Sequence, residues 1–202
     1  MGITKNFSNP DGVWGKIFLS GMNVGHSFIS KWGLGHYKWQ SNTNALDIGC
    51  GGGINIKRML KKSPMGTVCG LDISKESVKK SIKVNKKHIG KRCEIKLGSS
   101  DNIPFPDEKF DVVTAFETVY FWTDIEKSFS EVSRVLKPGG TFLIVGELFN
   151  PNSIWSKMIE GINIRTVDEI KSYMKDAGFS EFKTFGNGNM FSAVSGIKHK
   201  KN

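Results

Sequence analysis

The sequence predicts an α/β fold: a doubly wound, seven-stranded, mostly parallel sheet that ends in an antiparallel hairpin strand. Three observations predict it. From Ala45 onward, short apolar runs alternate with segments of helical periodicity. A glycine-rich loop, Gly49-Cys50-Gly51-Gly52-Gly53, joins the first run to the first helix. Near the C-terminus, two strand-like runs flank Gly186-Asn187-Gly188-Asn189, a turn composition suited to a hairpin.

The elements follow in order. Ala45-Leu46-Asp47-Ile48 reads as a buried strand, followed after the glycines by a helix to about Lys62. Thr67 to Leu71 is a second strand ending at Asp72. Ser74 is a good N-cap for a helix reaching about Ile89, with Val78, Ile82 and Ile89 facing inward. Cys93 to Leu97 and Phe110 to Phe116 are the third and fourth strands. Asp124 caps a helix holding Ile125, Phe129, Val132 and Leu136, which Lys137-Pro138-Gly139-Gly140 stops before a fifth strand from Thr141 to Val145. Thr166 opens a last helix that Gly178 ends, and strands near 179–185 and 190–197 complete the sheet. The first 44 residues form a separate zone, rich in aromatic side chains and poor in charge. One domain is therefore expected over 1–202, with a helical cap over 1–44 and the core over 45–202.

Composition bounds the function. Apolar residues make up 38% and charged residues 24%, which is ordinary for a soluble globular protein, and no run is long enough to span a membrane. Cys50, Cys69 and Cys93 are scattered and odd in number, and no histidines sit at metal-ligand spacing. A reduced, cytoplasmic setting without a metal or a membrane partner is expected. The net charge of +10 is confined to one segment. Between Lys57 and Lys96 there are 13 Lys/Arg and 3 Asp/Glu, while the rest of the chain holds 16 of each. Lys75, Lys79, Lys83 and Lys87 recur every four residues. They read either as a solvated helix face or as a patch for phosphates or an acidic partner. Only four arginines accompany 25 lysines, which favours the solvated face and makes nucleic acid an unexpected partner.

In doubly wound sheets, ligands bind outside the carboxyl ends of the strands. The glycine spacing there is Gly49-x-Gly51-x-Gly53, with Ile54 where a dinucleotide fingerprint needs a small residue. Asp47, two residues before the loop, can face a cationic ligand. Asp72, at the end of the second strand, can accept from both hydroxyls of a ribose, or serve as an acid at a helix N-terminus.

These residues resemble a known family. Ala45 to Gly53 resembles motif I of the class I S-adenosylmethionine-dependent methyltransferases, and Gly70-Leu71-Asp72-Ile73-Ser74 resembles their acidic motif. Gly98 to Phe105, Phe110 to Val113, and Arg134 to Gly140 are similar to three further motifs, in order and in register. The nearest branch is that of the ubiquinone and menaquinone biosynthesis enzymes, type 11, over about Ala45 to Val145. The resemblance implies a Rossmann-like fold and S-adenosylmethionine as cofactor, with S-adenosylhomocysteine as product. It implies that Asp47 and the backbone of Gly49, Cys50, Gly51 and Gly53 hold the methionine part. Asp72 would hold the ribose, Ile73 the adenine face, and Ser99 and Ser100 the adenine edge. Many relatives carry Asp where Ser99 stands. Asp101 either compensates for that change or is a turn residue. The resemblance also implies that the segment from Ala115 to Trp122, Phe116 included, borders both cofactor and substrate.

The implied reaction is methyl transfer to a small-molecule acceptor by in-line displacement. Glu117 would orient or deprotonate the acceptor, or lie solvated at a helix start. Tyr120 and His26 are further candidates, each with a structural alternative. Two other readings stand beside it: a nicotinamide-dependent oxidoreductase on a similar sheet, and a non-catalytic S-adenosylmethionine- or RNA-binding protein. Neither the acceptor nor the oligomeric state is legible.

Overall fold

The computed structural model describes residues 28–146, 163–186 and 191–200. Seven strands form one sheet: β1 (Ala45–Ile48), β2 (Val68–Asp72), β3 (Cys93–Leu97), β4 (Phe110–Phe116), β5 (Leu136–Gly146), β6 (Phe179–Gly186) and β7 (Ser192–Lys198). Their order is β3-β2-β1-β4-β5-β7-β6. The first five run parallel. β7 enters antiparallel between β5 and β6. The order reverses between β1 and β4, which is the switch point where such sheets bind ligands. This is the architecture that the alternation of strand and helix predicts.

Four helices cover the faces: α1 (Ile54–Lys62), α2 (Lys75–Val84), α3 (Ile125–Val135) and α4 (Val167–Asp176). α1 supplies Ile56, Met59 and Leu60 to a core with Val112, Leu143 and Val145 on one side of the sheet. On the other side, α3 and α4 bury Phe129, Val132, Ile170 and Met174 against Leu46, Val113 and Phe142. β1 is therefore covered on both faces, as its unbroken apolar character requires. Of the expected cap, residues 28–33 are helical and Ile29 and Leu34 are buried. Residues 1–27, with His26, lie outside the described residues, as do 187–189 of the expected hairpin turn.

Local chemistry explains the ends. Asp124 accepts from the Lys127 N–H at 3.0 Å to start α3. Thr166 and Glu169 form a reciprocal capping box on α4. Lys137 to Gly140 differs from expectation: β5 already begins at Leu136, and the four residues form an irregularity in its pairing with β4. Gly139 takes φ +77° there, which supplies the kink without leaving the sheet.

α2 also differs. It ends at Val84 rather than Ile89, and Ile82 is 39% exposed. Its buried side is polar. Ser81 and Asn85 pack on the glycine loop, and Asn85 Nδ2 donates to the carbonyls of Gly53 and Ser81, both at 3.0 Å. Gly53 sits at φ +77°, and a methyl group there would collide with Ser81 Oγ and Asn85 Nδ2. Gly53→Ala combines a left-handed backbone with a clash. It should cost about 2–4 kcal/mol in urea unfolding; an unchanged midpoint would show that the loop and α2 are not locked together.

Candidate functional site

The carboxyl ends of β1, β2, β3 and β4 surround one cavity of about 300 Å³. Gly49 from the loop, Asp72 and Ile73 from the end of β2, Ser99 and Ser100 after β3, and Glu117 after β4 all line it. These residues come from four separate segments, so the sheet topology alone brings them together.

Asp72 organises the wall. Its Oδ2 accepts from the Gly51 N–H at 2.8 Å and its Oδ1 from the Ser74 N–H at 2.9 Å. Its carbonyl accepts from the Gly98 N–H at 3.0 Å. A carboxylate has about four acceptor positions, so two remain for ligand hydroxyls. Ile73, beside it, is 77% exposed, an apolar surface left uncovered at the cavity rim. Gly51 has φ +50°, and a Cβ built there meets nothing within 4 Å. Its side-chain direction is open space, which a ligand can use.

Asp47 lies elsewhere. It is buried beneath the loop, away from the cavity lining, and accepts from the Thr114 hydroxyl of β4 at 2.7 Å. Burial pushes its carboxyl up to about 7. The Thr114 hydrogen bond opposes the rise, and the neighbouring Asp72 charge adds to it. Cys50 is also buried, with Sγ 3.9 Å from Ser81 Oγ. Burial, then the charges of Asp47 and Asp72, push its thiol pKa well up, so Cys50 stays a protonated thiol and not a nucleophile.

The adenine-side residues divide. Ser99 lines the cavity. Ser100 also lines it, but its hydroxyl is paired with Ser128 Oγ at 2.9 Å, which ties the loop to α3. Asp101 and Phe116 are not among the lining residues, and Phe116 packs into the core beside Gly33. Glu117 takes φ +57°, unusual for a non-glycine residue, and accepts a hydrogen bond from the Tyr120 hydroxyl. Tyr120 lines a small neighbouring void with Asn163 and Arg165.

The turn after β4 supplies further lining residues. Thr118, Phe121 and Thr123 complete the wall. Thr118 Oγ1 donates to the Ile48 carbonyl at 3.2 Å and closes on Gly49. Trp122 also reaches the wall, although most of it stacks with Phe142 in the core. The one available signal was position, immediately after the strand next to β1. Among the described residues, no three His, Cys, Asp or Glu side chains converge as a metal site, and no helix is long and apolar enough to cross a membrane.

Comparison with known proteins agrees with this geometry. Residues 46–144 match the family model described as a methyltransferase domain. The chain is 28% identical over 178 residues to the uncharacterized methyltransferase YcgJ of Bacillus subtilis, spanning 88% of this chain and 66% of YcgJ. Two solved structures share the fold. One is the Haloferax volcanii methyltransferase in complex with the Trm112 activator, with TM-score 0.78, 20% identity, and 89% and 93% of the two chains covered. The other is a SAM-dependent methyltransferase from Aquifex aeolicus, with TM-score 0.71, 20% identity, and 83% and 88% covered.

The Asp47 carboxyl yields a stability prediction. Its folded value, about 7, lies above the ordinary 3.8. Between those values the fold holds a proton that the unfolded chain has lost. The group's contribution to stability therefore falls as pH rises through that window and is constant above it. Asp47→Asn keeps the acceptor for Thr114 and removes the buried charge. It should stabilise the ligand-free protein at pH 8 by up to about 4 kcal/mol, with little effect near pH 4. Denaturant midpoints at the two pH values test this, and equal shifts at both would refute it.

The motif register, the switch-point cavity and the matched domain lead to one assignment: the chain belongs, through residues 46–144, to the class I S-adenosylmethionine-dependent methyltransferases of type 11.

Proposed function

We propose that this chain transfers a methyl group from S-adenosylmethionine to a small-molecule acceptor in the cytoplasm, as one domain whose residues 1–44 cap the core. The observation that carries this reading is the shared cavity: Gly49, Asp72, Ile73, Ser99 and Glu117 converge on it from four strand ends.

The residues present fit the cofactor. Gly51 leaves open space beside its backbone, and Asp72 keeps two acceptor positions for ribose hydroxyls. Exposed Ile73 offers an apolar face to the adenine, and Ser99 a hydroxyl to its edge. The hydroxyl of Ser100 holds α3, so its part is backbone, and Asp101 acts from outside the cavity wall. The Gly49 to Gly53 backbone, with Cys50 contributing only its main chain, approaches the methionine part. Asp47 acts on it through the field beneath the loop, and Phe116 backs the end of β4. When bound, the cofactor supplies an electrophilic methyl group on a sulfonium.

The chain's own work is then alignment of the acceptor about 3 Å from that methyl and exclusion of water. Glu117, held by Tyr120, stands where it can orient or deprotonate a protic acceptor, and His26 is a further candidate from the cap.

Isothermal titration with S-adenosylhomocysteine tests the site. Gly51→Ala should fold with a loss of about 1–2 kcal/mol and lose measurable binding. Asp72→Ala should weaken binding at least roughly tenfold. Wild-type affinity in both variants would overturn the site. Preferential stabilisation of the wild-type protein by NADH would overturn the activity. Release of S-adenosylhomocysteine against a metabolite panel would then identify the acceptor.

A further inference from the structure

The excess positive charge lies on one surface. α1 and α2 are neighbours on the same side of the sheet, joined where Ser81 and Asn85 meet Gly53. Their buried sides face the core, so their outer ridges lie together on the molecular surface. Lys57 and Lys61 project from α1, Lys75 and Lys83 from α2, and Lys86 and Lys87 from the turn that follows. All six are exposed. Among the described residues none has an acid within ion-pair distance, and Lys79 alone on α2 is paired, with Glu76 at 2.9 Å. α1 carries no acid, whereas α3 and α4 on the opposite side mix both signs. Like charges crowded in this way repel one another and call for an anionic counterpart.

The details favour one kind of counterpart. The two arginines of the segment are both hydrogen-bonded within the protein. Arg92 donates to the carbonyls of Ser63 and Gly66 at 2.9 and 3.0 Å, and Arg58 to Asn55 Oδ1 at 2.9 Å. The Arg92 fork is thus occupied and one Nη of Arg58 is engaged, which leaves lysine as the main cation of this surface. No Phe, Trp or Tyr occurs between Lys57 and Lys96, so the surface has no platform for stacked bases. What remains is a set of point charges on flexible stems, flanked by the half-exposed aliphatic side chains of Ile82 and Val84. Mobile lysines beside small aliphatic groups suit a flat, laterally fluid, anionic surface. We infer that the α1–α2 face docks on anionic lipid bilayers. The sequence alone predicts no membrane partner because no run is long enough to span a bilayer; the folded surface supplies a different mode of contact.

The face is separate from the cavity, so the test does not depend on catalysis. The full chain is sedimented with phosphatidylcholine vesicles, alone or mixed with phosphatidylglycerol at roughly 2:1, in about 0.1 M salt. Binding is expected only to the mixed vesicles, and should fall steeply as salt rises. Lys75→Glu, Lys83→Glu, Lys86→Glu and Lys87→Glu combined should weaken it on the order of 100-fold, while S-adenosylhomocysteine binding and the thermal midpoint match wild type. If that variant is misfolded, the same four positions changed to Gln provide the comparison. Failure of the wild-type protein to bind mixed vesicles, or equal binding by a folded variant, overturns the inference. So does retention on polyuridylate or poly-glutamate with vesicles ignored, which would assign the face to a nucleic acid or an acidic protein.

Discussion

The Asp72 carboxylate is the interaction on which the site depends. One oxygen holds the Gly51 N–H of the glycine loop and the other holds the Ser74 N–H at the start of α2. Its carbonyl holds Gly98 at the exit of β3. Three segments far apart in sequence are thus set at fixed spacing by one residue. Charge-assisted bonds to backbone amides are stronger than neutral ones, and these are largely shielded from water because Asp72 is buried. The loop therefore has its shape before any ligand arrives, which spares binding the cost of ordering it.

The loop is fixed from beneath as well. α2 buries Ser81 and Asn85 where an amphipathic helix would ordinarily bury aliphatic side chains. Asn85 Nδ2 donates to the Gly53 carbonyl, and both polar side chains fit against a backbone that carries no Cβ. An apolar pair would leave that carbonyl without its Asn85 partner, at a cost comparable to a lost hydrogen bond. The helix thus gives up hydrophobic burial to keep the loop in place.

This explains what the sequence did and did not disclose. The alternation of strands and helices, the glycine spacing, the position of Asp72 and the C-terminal pair of strands are local patterns, and local patterns are legible. The inward face of α2 was misread because periodicity assigns Val78 and Ile82 to the core, whereas the partner of the helix there is polar backbone. Thr123 lies beyond the Ala115 to Trp122 segment that the resemblance marks, and the short turn after β4 has no periodicity to follow. Asp47 is expected to face a cationic ligand from the end of β1. β1 is buried on both faces, so no alternation reveals which side a residue takes. The structure places Asp47 against Thr114.

Asp47 and Asp72 together show why the site is arranged in two layers. Burial is what raises the Asp47 carboxyl, and the nearby Asp72 charge adds to the rise. Near neutral pH, Asp47 is poised between its neutral and charged forms. A cationic group settling over the loop would favour the charged form, and the two events would reinforce each other by linkage. The ligand-free protein thus holds a carboxyl that weakens the fold when ionised, in a position where a positive charge would relieve it. Local destabilisation of this kind is expected where a fold is shaped by its ligand and not by its own packing alone. Glu117, at φ +57° and lining the same cavity, is a second instance of local strain.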